Sequence, residues 1–405
     1  MRVLEDAMQR AFARLPEQML NPILAEKLAE QGVRVPERVL RRLGADFLAN
    51  GSDTVNYWNW DWAWKFWERQ EVKLEITEGD SQRIEENLER IDWKRFCETV
   101  VSDSATRILA DLERDWPRRR RIELKESDKF RQRIHHKWRD AIESLTFLVA
   151  ISRELGEGIH SEIRAGRVEQ GAAIIDVMSR MHARACQVSE EILCLLSAGF
   201  ADGAMARWRT MYEMDVVTLF IHDHGEELAQ RYLDHSVVES FNAARDDKEC
   251  FERLGYEPIS DEEFAEVESA KNKAVSIYGP GFGTPFGWAS SLLQKKKPVF
   301  KDIEKAVSFD HFRSQYRLAS YPVHAGAKST LFRLSLPDGV DGLLTGPSDS
   351  GMADPGQNTA ISLAQISAAF LMLHPILDNI VGMQIVNDVS AKVVERFAGT
   401  RPAEN

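Results

Sequence analysis

Apolar side chains recur every three or four residues between Val168 and Leu196, and this spacing constrains the fold more than any other feature of the sequence. The positions concerned are Ile174, Ile175, Met178, Met181, Ala185, Val188, Ile192, Leu195 and Leu196. Because residues three and four apart share one face of an α-helix, the pattern predicts a single long amphipathic helix. Such a helix must bury its apolar stripe against other elements of the fold.

The same helical period continues through most of the chain. It predicts further long helices over residues 130–155, 202–221, 226–250 and 361–394. The breaks at residues 199 and 222–225 are short, so successive helices become antiparallel neighbours. Few segments show the two-residue alternation that is typical of a strand. The sequence therefore predicts an all-α protein, a long-helix bundle with an appended helical N-terminal region.

A change in sequence character near residues 115–125, where a proline precedes four consecutive arginines, indicates a domain boundary. We place an N-terminal helical region at residues 1–125 and a helical bundle core domain at 126–398. Five of the ten tryptophans fall within Trp58–Trp67, and this Trp-rich segment indicates either packing or a contact surface for a partner or for bases. Two Gly- and Pro-rich stretches, 277–288 and 336–357, predict long loops in the core domain.

The overall charge excludes some classes of protein. With 64 acidic residues against 52 Lys and Arg, the formal charge is -12, which argues against a protein that coats nucleic acid or anionic membrane over its whole surface. The longest apolar runs fall far short of the ~20 residues that a bilayer span needs, and no apolar signal core follows the first residue. The four cysteines are widely spaced, which predicts a reducing, cytoplasmic compartment without disulfides.

Six motifs occur in an order that resembles one uncharacterised bacterial family, an all-helical domain of unknown function. They are Phe130–Ile142 (FRQRIHHKWRDAI), Met205–Met214 (MARWRTMYEM), Arg231–His235 (RYLDH), Phe286–Ala289 (FGWA), Tyr316–Ala325 (YRLASYPVHA) and Thr345–Gly351 (TGPSDSG). The resemblance covers roughly residues 125–395. It implies a helical fold and no established activity.

A more distant likeness is to the HEPN superfamily, helical bundles that include metal-independent ribonucleases of toxin–antitoxin and phage-defence systems. Their hallmark is an arginine and a histidine separated by four to six residues, and here Arg317 and His324 enclose six. The resemblance implies that His324 is a general acid or base and that Arg317 holds the scissile phosphate, roles that suit an imidazole and a guanidinium. It also implies a homodimer, because these enzymes commonly build the site from two protomers.

Four further residues are candidates for supporting this pair. Arg209 and Glu213 lie four residues apart on the predicted helix 202–221, so their side chains share one face. They form either a structural ion pair or part of a cavity wall beside His324. His235 is either a half-buried side chain with an acidic partner or a member of the site. Tyr321 either contributes a hydroxyl group or packs, and the same two alternatives hold for Tyr316.

Basic and aromatic residues near the FGWA motif are candidates for ligand contact. Trp288 lies in that motif, and Lys295, Lys296 and Lys297 follow it. Most lysine runs are solvated surface, but contacts with RNA phosphates would begin there and at Arg118–Arg121. Only one of the ten histidines has a glutamate three positions before it, so the paired motif of a di-iron bundle is absent. The sequence indicates neither a metal site nor a cofactor.

Two function hypotheses follow from these residues. The first is a HEPN-like, metal-independent ribonuclease or toxin-type effector in bacterial phage defence, with RNA as substrate and a partner protein encoded nearby. The alternative is a non-catalytic helical module that binds a protein or a small ligand through the Trp-rich segment and the two long loops. Leu318, apolar where the ribonucleases usually carry a polar residue, favours the alternative.

Overall fold

The computed structural model describes residues 3–50, 74–336 and 342–400, and these residues form helices, turns and loops without a β-strand. The predicted all-α class is confirmed. The Trp-rich segment lies outside the described residues, so the prediction for it stays a prediction. No helix in the described ranges combines the length and the apolar character that crossing a bilayer requires.

Residues Met1–Leu124 form one compact unit. Its helices are α1 (Val3–Glu30), α2 (Glu37–Asn50), α3 (Glu78–Glu89) and the first part of α4 (Trp93–Arg164). Helix α1 packs against α2 and α3. The small core between them consists of aliphatic side chains, namely Leu20, Leu24, Leu28, Val33, Leu43 and Leu74.

Residues Lys125–Asn405 form the second compact unit, which holds the candidate site. After the remainder of α4 its helices are α5 (Ala172–Ser197), α6 (Ala201–His224), α7 (Glu226–Asp234), α8 (Ser236–Leu254), α9 (Asp261–Tyr278), α10 (Ser290–Leu293), α11 (Phe300–Ala306), α12 (Arg313–Ser320), α13 (Ala327–Leu331), α14 (Ala353–Leu371) and α15 (Leu377–Gly399). Helix α14 packs against α5, α6 and α15, and α5 packs against α6.

The core of the second unit lies between these long helices. Trp208, Phe370 and Phe397 are among its largest fully buried side chains, and each such burial contributes about 1.5–3 kcal/mol. The Trp208 Nε1–H donates to the Ser362 hydroxyl at 3.3 Å and so links α6 to α14. Asp215 of α6 is fully buried in the same core. Neither of its carboxyl oxygens has a partner in hydrogen-bond geometry among the residues that the structure describes, and burial raises its pKa well above the usual range despite the nearby Ser362.

Several predicted helix boundaries were wrong. The helix predicted over 226–250 is two helices, α7 and α8, which meet at the buried His235. The helix predicted over 361–394 is likewise two, because Pro375 lies between α14 and α15 and cannot continue a helical hydrogen-bond ladder. The second predicted loop ends early, since residues 353–357 are the first turns of α14.

Helix α4 is longer than its periodicity indicated. It spans 72 residues, continues through Pro117 and includes the whole arginine run. The residues around the predicted boundary are therefore helical rather than a linker.

Loop 277–288 packs instead of extending into solvent. Two short 3₁₀ turns, Pro280–Gly283 and Gly287–Ala289, place Phe282 and Trp288 in the core. Gly287 is necessary there, because a Cβ atom at this position would lie 2.2 Å from the carbonyl oxygen of Phe282.

Candidate functional site

Four polar side chains from three segments meet on the exposed side of α6, and we call them the Arg209 cluster. They are Arg209 and Glu213 on α6, Tyr316 on α12, and His324 in the turn after α12. The Arg209 guanidinium donates from Nη1 to the Nε2 of His324 at 3.1 Å and from Nη2 to the Tyr316 hydroxyl at 3.0 Å. The Tyr316 hydroxyl donates in turn to Glu213 Oε1 at 2.6 Å.

Arg209 and Glu213 also form the i,i+4 ion pair that the sequence predicts. The Nε of Arg209 lies 3.2 Å from Glu213 Oε1, although this contact falls outside hydrogen-bond geometry. The guanidinium also lies 5.0 Å from the centre of the Tyr316 ring, within cation–π distance. Burial raises the pKa of Tyr316, and its hydrogen bond to Glu213 acts in the same direction.

The contact with Arg209 decides which role the Nε2 of His324 plays in this arrangement. A guanidinium has donors only, so the Nε2 of His324 accepts. His324 itself is exposed to solvent. A substrate that drew Arg209 away would leave the Nε2 lone pair of His324 free to accept a proton.

A second charge pair lies beneath the cluster and holds its elements in place. The fully buried Glu304 of α11 accepts from Arg313 of α12 at 2.5 Å and from the Tyr212 hydroxyl of α6 at 3.1 Å. A buried carboxylate with two such partners ties three helices together, because removing either partner would leave a charge or a polar group unsatisfied. The pair thus joins α12, which carries Tyr316, to α6 and α11.

Arg317 does not take part in the Arg209 cluster. Its side chain is exposed and makes no hydrogen bond or ion pair with any residue that the structure describes. Helix α12 ends at Ser320, two residues before Pro322, so Arg317 and His324 do not lie on one helix. The guanidinium that contacts the His324 ring belongs to Arg209.

Two of the predicted supporting residues lie elsewhere. His235 is 2% exposed and donates from Nε2 to the carbonyl oxygen of Thr284 at 2.9 Å, so it fastens the loop after α9. Tyr321 is half-buried, and its ring packs edge-on against Phe332. Neither side chain contacts the Arg209 cluster.

The predicted binding residues divide into a buried aromatic and an exposed basic run. Trp288 is only 3% exposed and packs edge-on against Tyr232, so the packing of the loop places it in the core and not on the surface. Lys295, Lys296 and Lys297 are exposed, and Lys295 pairs with Asp302 at 2.5 Å.

A cavity of roughly 420 Å³ lies between α4 and α5, outside the cluster. The lining residues include Gly156, His160, His182 and Cys186. The His182 ring stacks on Phe370 at 4.9 Å, and its Nε2 lies 3.9 Å from the sulfur of Cys186. Burial lowers the pKa of His182 to about 4 and raises the pKa of the Cys186 thiol to about 11.

Comparison with known proteins adds one result. Residues 175–341 are similar to a family of unknown function, DUF5677. The matched stretch contains most of α5, all of α6 to α13 and the whole Arg209 cluster, and it is shorter than the 125–395 that the motifs indicated. No curated protein and no solved structure matches the chain.

Several residues that make important contacts in the structure were not predicted from the sequence. Sequence reasoning left Tyr316 undecided between a hydroxyl contribution and packing, although Tyr316 bridges Arg209 and Glu213. It did not consider His182 and Cys186, whose i,i+4 spacing on the apolar stripe of α5 was the available signal. No local signal pairs Glu304 with Tyr212, because their contact joins positions 92 residues apart.

Proposed function

We propose that this protein is a HEPN-like, metal-independent endoribonuclease that acts as a toxin-type effector in bacterial phage defence, with His324 as its acid or base. The observation that carries the proposal is the Arg209–His324 contact at 3.1 Å on an exposed face. A guanidinium beside a solvent-exposed imidazole provides a phosphate-binding group and a proton-transfer group within reach of one phosphodiester.

The proposed reaction uses the ribose of the substrate as the nucleophile. The 2′-oxygen attacks the adjacent phosphorus and loses its proton, the bond from phosphorus to the 5′-oxygen breaks, and that oxygen gains a proton. The products are a 2′,3′-cyclic phosphate and a free 5′-hydroxyl. His324 carries out one of the two proton transfers and water the other, while Arg209 and the exposed Arg317 stabilise the charge that develops on the phosphate oxygens.

Glu213 and Tyr316 act as positioning residues in this proposal. Through their contacts with Arg209 they orient the guanidinium towards His324. The exposed Lys295, Lys296 and Lys297 provide further candidates for contacts with the RNA backbone.

The test is incubation of the purified protein with total RNA in the presence of a chelator. We expect cleavage by the wild type, a loss of about 10²-fold or more in His324→Ala, and unchanged cleavage in the control His136→Ala. His136 is another exposed histidine, on α4, with no hydrogen bond in the described structure. Cleavage that persists in His324→Ala, or RNA that stays intact with the wild type across conditions and candidate partner proteins, would overturn the proposal.

The second candidate is a non-catalytic module that binds a small ligand. It is favoured by the cavity of roughly 420 Å³ at His182, which falls within the size range of ligand pockets. It is favoured also by the contacts of Arg209 with Tyr316 and Glu213, which can hold α12 on α6 without a catalytic role. Intact RNA together with a ligand-induced rise in melting temperature that disappears in His182→Ala would support this reading.

A further inference from the structure

Residues 311–336, which include α12 and α13, contain no aspartate and no glutamate. We call this stretch the basic segment. Its cationic residues and its histidines are Arg313, Arg317, Lys328, Arg333, His311 and His324. Over the whole chain, acidic residues outnumber Lys and Arg by 64 to 52, so the basic segment reverses the overall charge locally.

The basic segment is fastened to α6 near both of its ends. Near the start, the Tyr316 hydroxyl accepts from Arg209 at 3.0 Å. At the end, the Asp202 carboxylate accepts from the backbone N–H groups of Leu334 and Ser335 at 2.8 and 3.2 Å. Residues 202 and 209 of α6 are about 10 Å apart along the helix axis. Because α6 is a packed core helix, these two attachments fix the course of the segment over the surface.

Three of the four cations have no carboxylate partner. Arg317, Lys328 and Arg333 are exposed and form no ion pair with any residue that the structure describes. Arg313 differs, since the buried Glu304 accepts from it. The surface of the segment therefore carries positive charge that no described carboxylate contact neutralises. Such groups are suited to bind phosphate, because they need not first give up an internal partner.

The chain folds back after His324, so that cations on both sides of it in the sequence lie along one surface. The Tyr321 ring packs edge-on against Phe332 with the ring centres 5.9 Å apart, and the Lys328 ammonium lies 5.8 Å from the centre of the Tyr321 ring. Tyr321 and His324 belong to the same turn after α12. Arg317 thus precedes the imidazole, and Lys328 lies beside the turn that carries it.

We propose that the basic segment binds the sugar–phosphate backbone of single-stranded RNA, with Arg317, Lys328 and Arg333 as phosphate contacts, so that the strand passes over His324. Phosphates recur at short intervals along a nucleic acid strand, and several separate cations on a fixed surface match such a polyanion better than they match one small anion. Two of the three are guanidinium groups, which bind phosphate through paired donors.

The choice of a single strand rests on the proposed ribonuclease activity, which this inference deepens by naming the residues that seat the substrate. Attack by the 2′-oxygen needs that oxygen in line with the departing 5′-oxygen, and the regular geometry of an RNA duplex does not allow this alignment. The backbone contacts themselves do not depend on catalysis.

The first test measures binding of a fluorescently labelled oligonucleotide to the full-length protein by anisotropy at a series of salt concentrations. The oligonucleotide carries 2′-O-methyl groups and cannot be cleaved by the proposed reaction. We expect Lys328→Ala and Arg333→Ala each to weaken binding by about 3-fold or more, and to reduce the slope of log affinity against log salt by about 0.7. Arg333→Lys keeps the charge and should retain the slope of the wild type.

The matched control is Lys392→Ala. Lys392 is an exposed lysine on α15 that forms no ion pair with a described residue, so its loss should leave both the affinity and the slope unchanged. Equal weakening in Lys392→Ala and Lys328→Ala would contradict the proposal, as would a wild type that does not bind the oligonucleotide. A duplex or polyglutamate bound as tightly as the single strand would also contradict it.

This measurement separates the binding surface from the proposed reaction. Specific binding together with RNA that stays intact in the cleavage assay would overturn the ribonuclease and leave the binding surface in place. Cleavage that depends on His324 but is unaffected, along with binding, by Lys328→Ala and Arg333→Ala would overturn the binding surface and leave the ribonuclease in place.

A second test locates the strand on the protein. An oligonucleotide that contains 4-thiouridine is cross-linked to the wild type by light, and the modified peptides are identified by mass spectrometry. We expect cross-links within residues 311–336. Cross-links confined to the other exposed basic runs, at residues 118–121 or 295–297, would show that the strand binds elsewhere and would overturn the proposal.

Discussion

Two histidines of the second unit lie in contrasting environments, and the comparison indicates which of them is suited to act as an acid or base. His324 is exposed and contacts a guanidinium, whereas His182 is 4% exposed in a cavity beside a thiol. Burial keeps both His182 and Cys186 neutral, because it lowers the pKa of the first and raises that of the second. A concave shape alone therefore does not supply an acid or base near neutral pH, and the Arg209 cluster is the better candidate.

The largest expected difference concerns activity. His324→Ala should lower RNA cleavage by about 10²–10⁴-fold, since it removes the proposed proton-transfer group. His182→Ala should leave the rate per folded molecule unchanged, because His182 lies in the cavity and not in the cluster. Single-turnover cleavage of a labelled RNA measures both, with the folded fraction determined by circular dichroism. The opposite outcome, loss in His182→Ala alone, would move the site to the cavity.

The next difference is in acid stability. The folded-state pKa of His182, about 4, lies below its ordinary value of 6.5, so the unfolded chain takes up the proton first. Stability is therefore lost as the pH falls from 6.5 towards 4, by on the order of 3 kcal/mol. His182→Gln should remove this part of the dependence in urea titrations across that range. The exposed His136→Gln should retain it, and equal curves for wild type and His182→Gln would contradict the expectation.

The buried Asp215 should make stability depend on pH in the opposite direction. Its pKa is raised by burial, so the unfolded chain releases the proton first and stability falls as the pH rises above the ordinary value of 3.8. In that interval the wild type should lose about 1.4 kcal/mol per pH unit relative to Asp215→Asn. Urea unfolding at a series of pH values measures the slope. A parallel course for the two proteins would mean that the carboxyl ionises freely in the fold.

A smaller effect tests how tightly the cavity wall holds His182. A Cβ atom on residue 156 would lie 2.5 Å from the Cε1 of His182, so Gly156→Ala should destabilise the protein by about 1–3 kcal/mol. The double variant Gly156→Ala with His182→Ala should recover most of that loss, because the clash disappears. Chemical unfolding of the two single variants and the double variant gives the coupling. Additive effects would show that the two residues do not meet.

The smallest expected effect on stability is that of a substitution at the half-exposed Glu213. Glu213 is 40% exposed, so its ion pair with Arg209 contributes little, and Glu213→Gln should cost less than about 1 kcal/mol in stability. The same variant should lower RNA cleavage, because Glu213 orients Arg209 through Tyr316. Thermal melting and the cleavage assay measure the two quantities. A large stability loss with unchanged cleavage would make the cluster a structural clamp.

Local periodicity was sufficient for the fold class and for the existence of the long helices. The helix predicted from the apolar stripe of residues 168–196 is α5 (Ala172–Ser197) in the structure. Its apolar positions determine which side of the helix is buried, regardless of which helix packs against it. Boundaries were harder to predict. At the break between α7 and α8, His235 bonds to the Thr284 carbonyl, a contact 49 residues away that no local pattern reveals.

In the candidate site, too, contacts between residues close in the sequence were predictable, and contacts between distant residues were not. Arg209 and Glu213 were predicted to share a face, because i,i+4 spacing is a local property of a helix. Arg317 was expected beside His324 because only six residues separate them in the sequence. Their separation does not determine where the two side chains point, because α12 ends before Pro322 and the two residues do not share a helix. The partner of His324 is 115 residues away in sequence, on α6.

By itself the sequence determined an all-α protein with long amphipathic helices, since the alternation of apolar and polar residues dictates secondary structure and burial at short range. Only the tertiary structure decided that Arg209 and not Arg317 meets the His324 ring, and that Trp288 belongs to the core. The physical reason is that these contacts arise from the packing of helices far apart in the chain, which depends on the shapes of complete faces and not on the spacing of neighbouring residues.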